Sequence, residues 1–241
     1  MDKNDLKAEI RRLLNERGAV VVAIDGNSAS GKTTLAEELR EEFSARVFHC
    51  DDYFLQPYQR TEQRLNETGG NFDRERFRKE VAEPARLHRD AECRKYFCRT
   101  GELSAAFTVK FTSLTVIEGS YSLHPYLGEY YDIAVFVSVD PEEQSRRILQ
   151  RNGPDMHRRF MREWVPMENR YAVPDNSRRT GGRISVSFSY YPYLYHAVEC
   201  RELFGDSVGD SADDLDDRVG VIAAGTVYHV LDIDVSLGYR R

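Results

Sequence analysis

A β-branched apolar run, Ala19-Val20-Val21-Val22-Ala23-Ile24, leads into the glycine-flanked stretch that decides the fold, Gly26-Asn27-Ser28-Ala29-Ser30-Gly31-Lys32-Thr33. The run is apolar on both faces, as is typical of a buried strand in a parallel sheet. The stretch satisfies the pattern G-x-x-x-x-G-K-[ST], and a helix is predicted over 33–44 directly after it. Strand, glycine-rich loop and helix in this order favour a phosphate-binding loop over a chance turn.

This loop carries the groups that hold a nucleoside triphosphate. Glycines let backbone N–H groups turn toward phosphate oxygens, and the helix adds the positive end of its dipole. Lys32 is expected to reach the β- and γ-phosphates and the Thr33 hydroxyl to bind Mg²⁺. We therefore expect ATP and Mg²⁺ as cofactors, with the nucleotide held by Gly26, Asn27, Ser28, Ala29, Ser30, Gly31, Lys32, Thr33 and Thr34.

The elements that follow the loop predict an α/β protein. An amphipathic helix precedes it and ends at Gly18; strands are predicted at 46–49, 115–117 and 133–139, and a helix at 141–150. Such alternation indicates a parallel sheet covered by helices on both faces. We expect the P-loop NTPase fold with a five-stranded sheet and a lid. Two further segments, 183–190 and 220–230, have strand-like patterns, and the acidic stretch between them looks solvated.

Composition excludes several classes of protein. The 241 residues are 41% hydrophobic and 31% charged, which is typical of a globular protein of one substantial domain with additional material. Because the formal net charge is −6, nucleic acid is not expected as a partner. No apolar stretch approaches the roughly 20 residues that cross a bilayer, and no secretory signal is evident. We expect a cytoplasmic protein with no membrane partner; a homo-oligomer is compatible with these features.

Two acidic positions follow predicted strands. Glu118 ends the apolar segment 114–118, beside the phosphate loop in a doubly wound sheet, so it is our candidate for holding Mg²⁺ or its water shell. The alternative is an ordinary carboxylate at a strand end. Asp51 and Asp52 follow the second strand, where an Asp can accept the proton of a hydroxyl during phosphoryl transfer. A pair of this kind is equally common as a helix cap or a solvated turn.

Several short motifs, in order, resemble the uridine kinase and nicotinamide riboside kinase group of P-loop kinases. The motifs are the phosphate loop through Thr34, the segment 51–54 (DDYF), the segment 71–73 (NFD) and the segment 116–120 (VIEGS). Further stretches at 121–125, 140–144 and 164–169 make the chain similar above all to bacterial uridine kinase-like proteins. The resemblance covers residues 18–171.

The resemblance implies roles for individual residues. Asp51 matches the general base toward the nucleoside 5′-hydroxyl, and Asp73 matches the carboxylate that binds the ribose hydroxyls. The alternative for Asp73 is a plain helix N-cap, which is a common role of Asp. Tyr53 and Tyr96 match aromatic residues near the nucleoside; the alternative is that they are core or surface side chains. The arginines of 146–159 resemble a lid over ATP, and Arg147 and Arg151 are its catalytic candidates, against the alternative of a solvated helix face.

The resemblance ends after Tyr171. We expect a kinase-like domain over 1–178 and an unassigned tail over 179–241 that is partly disordered or forms an improvised strand. The tail is either specific to a lineage or produced by a change of reading frame. Translation of the genomic locus in all three frames distinguishes the two, because a frameshift predicts a family-like continuation in another frame.

The expected function is ATP-dependent phosphoryl transfer to the 5′-hydroxyl of a nucleoside, with uridine or cytidine as the leading acceptor. This makes the protein a phosphotransferase with an alcohol acceptor. Other hydroxyl-bearing metabolites stay open, including nicotinamide riboside, pantothenate and a sugar phosphate. A nucleotide-binding protein that transfers nothing, because its C-terminal region is altered, is a third interpretation. A GTPase-like switch is disfavoured because the guanine-specifying Asn-Lys-x-Asp segment is missing.

Overall fold

The computed structural model describes residues 2–171 and one later strand. In chain order the strands are β1 (Val20–Gly26), β2 (Arg46–His49), β3 (Ala91–Cys93), β4 (Tyr96–Phe97), β5 (Glu102–Leu103), β6 (Phe107–Val109), β7 (Leu114–Glu118), β8 (Ile133–Ser138) and β9 (Ile184–Ser189). The α-helices are α1 (Lys3–Arg17), α2 (Lys32–Phe43), α3 (Glu62–Asn66), α4 (Arg74–Phe77), α5 (Glu83–Arg86), α6 (Pro141–Arg159) and α7 (Val165–Arg170).

Five of these strands form one sheet in the order β2-β7-β1-β8-β9, and every pairing in it is parallel. This confirms the predicted α/β class and the five-stranded parallel sheet. The strand predicted at 183–190 is confirmed as β9, which pairs with β8. The segment 220–230 lies outside the described residues, as does the rest of the predicted tail.

Alternate side chains of β1 enter two separate cores, one on each face of the sheet. Val20, Val22 and Ile24 pack against the apolar faces of α1 and α2. Val21 and Ala23 face the second core, which is built mainly from the chain between β2 and β8. Burial on both faces explains why the β1 sequence is continuously apolar rather than alternating.

Parallel strands bring their carboxyl ends to one edge of the sheet. Glu118, at the end of β7, is in register with Ile24 of β1 and with His49 of β2. The phosphate loop that follows β1 therefore lies beside the end of β7 and the turn that follows β2. An edge of this kind is where doubly wound proteins bind their ligands.

Helix α6 is longer than predicted and is interrupted. Gly153 has φ 74° and ψ 173°, and Pro154 follows it, so the helical hydrogen-bond pattern breaks there. The Ser145 hydroxyl lies 2.8 Å from His157 Nε2, although the two are 12 residues apart. A straight helix would separate them by about 18 Å, so the chain reverses at Gly153. No helix within the described residues is long and apolar enough to span a membrane.

Candidate active site

The phosphate loop joins β1 to α2 with the backbone geometry that the motif predicts. Gly26, Ala29 and Gly31 have φ values of 144°, 60° and 103°. Helix α2 begins at Lys32, and its N-cap residue is Gly31, which has no side chain to cap the helix. The first N–H groups of α2 can therefore donate to an anion at this helix end.

Lys32 points back into the loop. Its ammonium group donates to the carbonyl oxygens of Gly26 at 3.0 Å and Asn27 at 2.7 Å, and the residue is only 7% exposed. The backbone carbonyls hold the cation inside the turn, where phosphate oxygens are expected. The contact of Lys32 with the β- and γ-phosphates stays a prediction.

Glu118 and Thr33 lie together at the sheet edge and fit a magnesium site. Thr33 Oγ1 is 3.4 Å from Glu118 Oε1, and His49 Nδ1 is 2.6 Å from the same oxygen. Mg²⁺ in proteins usually takes one or two carboxylates and completes its shell with phosphate oxygens and water. Among the described residues no cluster of three or more His, Cys, Asp or Glu could hold a metal alone. Thr33 and Glu118 are the residues that would hold Mg²⁺ with a nucleotide.

The sequence analysis missed the contact between His49 and Glu118. Its bond to Glu118 raises the pKa of the imidazole, in opposition to the lowering caused by burial. The parallel register of β2 with β7 places the two side chains together, and no motif in the sequence records that register.

Asp51 lies on the short 3₁₀ turn Cys50–Asp52 that follows β2. Asp51 is an exposed residue, and desolvation of its carboxyl group by nearby protein atoms, together with the Glu118 carboxylate, raises its pKa to about 6. Lys32 and His49 act in the opposite direction. The charges of Lys32 in the phosphate loop and of Glu118 at the candidate metal site therefore act on the Asp51 carboxylate. With a pKa of about 6, the carboxylate is largely ionised at pH 7.

Asp52, the neighbouring carboxylate, points elsewhere. Its carboxylate pairs with Lys95 at 3.2 Å, and its backbone carbonyl faces Arg76. The two adjacent aspartates therefore occupy different environments, which the sequence does not distinguish.

Asp73 is 2% exposed and caps α4. Its carboxylate accepts from the backbone N–H of Arg76 and from the Arg76 guanidinium, both at 3.1 Å. The N-cap alternative of the sequence analysis is therefore present. An antiparallel bridge between Phe54 and Phe72 brings this segment beside the Asp51 turn, so the expected ribose-binding segment does lie next to the expected base.

The structure buries both tyrosines that the resemblance places near a nucleoside. Tyr53 is 2% exposed, its edge packs on Phe77, and the Arg76 guanidinium lies 4.2 Å from its ring centroid. Tyr96 is 6% exposed, and its hydroxyl accepts from Arg60 at 3.1 Å. These placements favour the alternative of core side chains over base stacking.

The two lid candidates have different surroundings. Arg147 is 1% exposed and donates to the carbonyl of Ala29 in the phosphate loop at 3.1 Å and to Glu143 at 2.7 Å. Arg151 is exposed; its guanidinium bonds Asn152 and lies 6.0 Å from the Phe160 ring centroid. Arg147 therefore acts on the loop backbone, whereas Arg151 lies at the surface near the α6 break.

No protein-family model and no curated protein matches this chain. Among solved structures, a possible uridine kinase from Bacillus stearothermophilus is 22% identical with a TM-score of 0.45, over 66% of this chain and 94% of that one. A candidate P-loop kinase from Saccharomyces cerevisiae with a circular permutation is 12% identical with a TM-score of 0.53, over 79% and 100%. This chain has the P-loop NTPase fold, an α/β fold with a parallel sheet flanked by helices. At these identities the likeness concerns the fold alone.

Within this fold, the sequence analysis also missed residues that touch the loop from its flank. Glu168 accepts from the backbone N–H of Ser28 at 2.9 Å, and Gln144 donates to the Ser28 carbonyl at 3.0 Å. Asp25, directly before the loop, is 1% exposed and accepts from the backbone N–H groups of Gly26, Tyr121 and Leu123 and from the Tyr171 hydroxyl. Its burial raises its pKa to about 6. Most of these contacts join residues about 100 or more positions apart in the chain.

Proposed function

We propose that this protein transfers the γ-phosphoryl group of ATP, with Mg²⁺, to a hydroxyl group of a small molecule. The leading acceptor is the 5′-hydroxyl of a pyrimidine nucleoside, uridine or cytidine. The observation that carries the proposal is the position of Asp51, which lies among the charges of the phosphate loop while its carboxylate pairs with no cation in the described part of the chain.

The residues divide the work of such a transfer. Lys32 and the first N–H groups of α2 bind the phosphate oxygens and balance the negative charge that they carry. Asp51 accepts the proton of the attacking hydroxyl, for which an ionised carboxylate with a pKa of about 6 is well matched. Thr33 and Glu118 would hold Mg²⁺, which supplies charge neutralisation at the phosphates when bound. Asp73 remains our proposed contact for the ribose hydroxyls.

The test is a substrate panel with the full chain. ADP release in Mg·ATP is measured with uridine, cytidine, nicotinamide riboside, pantothenate and a sugar phosphate. We expect acceptor-dependent release with uridine or cytidine. Release with another member reassigns the acceptor, and ATP binding without any release identifies a binding protein that transfers nothing.

Two neighbouring aspartates provide a matched pair of variants. Asp51→Asn should keep ATP binding and lose transfer by about 10² or more, the scale for removal of a general base. Asp52→Asn, which removes a carboxylate paired with Lys95, should keep most of the activity. Turnover by Asp51→Asn at the wild-type rate would remove Asp51 from this role.

A further inference from the structure

Glu168 connects the last described helix to the phosphate loop. One of its carboxylate oxygens accepts from the backbone N–H of Ser28 at 2.9 Å, and the other accepts from the Ser28 hydroxyl and from Ser120 Oγ at 3.1 Å. The Ser120 hydroxyl also contacts the Gly26 carbonyl at 3.1 Å. The carboxylate is buried, and these three partners belong to the loop and to the segment that follows β7.

Tyr171, at the C-terminal end of α7, makes a second contact near the loop. It is the C-cap residue of α7, three residues after Glu168, and its hydroxyl donates to Asp25 at 3.0 Å. Asp25 directly precedes the loop, and Ser28 lies at its outer turn. The two side chains therefore hold the loop at its start and at its turn.

Two side chains of helix α6 donate hydrogen bonds to backbone carbonyls of the same turn. Gln144 donates to Ser28 O at 3.0 Å and Arg147 to Ala29 O at 3.1 Å, and both side chains are at least 96% buried. Ala29 has a φ of 60°, a left-handed conformation that a residue with a Cβ adopts only at an energetic cost. The contacts on either side of it stabilise this conformation.

We infer that Glu168 is a positioning residue for the phosphate loop: it holds the Ser28 turn in the shape that receives the nucleotide. The effect of Glu168 on nucleotide binding rests on the proposed function, whereas its effect on the loop backbone does not. A carboxylate suits this task because its two oxygens can accept from the Ser28 backbone N–H and from the Ser28 hydroxyl at the same time.

The first measurement is hydrogen exchange of the 26–32 segment in the full chain without nucleotide. In Glu168→Ala the amide of Ser28 should exchange about tenfold faster or more, because it loses a hydrogen bond to a charged acceptor. Glu168→Gln keeps an acceptor oxygen and should stay close to the wild type. Glu163→Ala, which removes a more exposed glutamate paired with Arg159, is the matched control and should not change the segment. Unchanged exchange in Glu168→Ala overturns the inference.

The second measurement is nucleotide binding and turnover by the same variants. Glu168→Ala should raise the dissociation constant of Mg·ADP and the KM for ATP about tenfold, with a smaller change in kcat, and Glu168→Gln should restore most of the loss. Tighter binding by Glu168→Ala would show that the carboxylate competes with phosphate, which overturns the inference. A wild-type chain that binds no nucleotide contradicts the proposed function, and the exchange data alone then decide whether Glu168 positions the loop.

Discussion

At the scale of single residues, identical side chains that are adjacent in the sequence have different surroundings in the structure. Asp51 and Asp52 are adjacent, yet one carboxylate lies among the charges of the phosphate loop and the other pairs with Lys95. The difference arises because the two side chains leave the short turn after β2 in different directions. We propose that the first, and not the second, accepts the proton of the acceptor hydroxyl.

The pKa of Asp51 predicts a pH dependence of transfer. A base must be ionised, so kcat/KM should fall as the pH drops through about 6, by up to tenfold per unit below it. The pH profile of kcat/KM in the wild type measures this limb. The residual activity of Asp51→Asn should lack it, and an identical acidic limb in that variant would assign the titration to another group.

At the scale of elements, Gly26 shows how closely the loop must approach the sheet. A Cβ built on Gly26 would lie 2.0 Å from the carbonyl oxygen of Val137 on β8, a backbone atom that cannot move without opening the sheet. Gly18 also has a positive φ but has no atom within 4 Å of such a Cβ. A side chain at Gly18 would therefore cause only backbone strain, whereas a side chain at Gly26 would cause backbone strain and a steric clash.

We therefore expect different costs for two glycine substitutions. Gly18→Ala should lower the free energy of unfolding by about 1–2 kcal/mol, the cost of a left-handed backbone with a Cβ. Gly26→Ala should cost more, because overlap with β8 is added to a similar strain. Urea unfolding midpoints at matched slope measure both, and equal losses would contradict the proposed close approach.

Helix α6 allows a second comparison, between neighbouring arginines that both pair with Glu143. Arg147 is 1% exposed and holds the Ala29 carbonyl, whereas the Arg146 side chain is 57% exposed. Arg147→Met should destabilise the protein by about 1–3 kcal/mol, because a buried carbonyl loses its donor. Arg146→Met should cost about 0–1 kcal/mol. Thermal or urea unfolding measures both variants, and equal effects would show that the loop contact adds no stability.

At the scale of the whole molecule, nucleotide binding should couple to unfolding. Mg·ADP at a hundred times its dissociation constant should stabilise the native state by about 2.7 kcal/mol, which corresponds to a rise in Tm of roughly 5–10 °C for a chain of this size. Chelation of Mg²⁺ with EDTA should remove most of this rise. The same Tm with and without the chelator, at saturating ADP, would contradict a metal-dependent site.

The whole fold also explains why several contacts at the candidate site escape sequence analysis. His49 meets Glu118 through the register of two parallel strands, and Glu168 meets Ser28 across 140 positions of the chain. For Tyr53 and Tyr96 the sequence predicts a contact that the structure does not favour: their positions resemble those of aromatic residues near the nucleoside, but packing buries both side chains.

By itself the sequence determined the α/β class, the phosphate loop between β1 and α2, and the five strands of the parallel sheet, because these depend on local patterns: apolar runs, glycine spacing and helix periodicity. The tertiary structure alone decided which of the two adjacent aspartates pairs with Lys95, which arginine is buried against the loop, and which residues of α6 and α7 contact Ser28 and Ala29. The physical reason is that a hydrogen bond between residues about a hundred positions apart depends on strand order and helix packing, which leave no periodic trace in the chain.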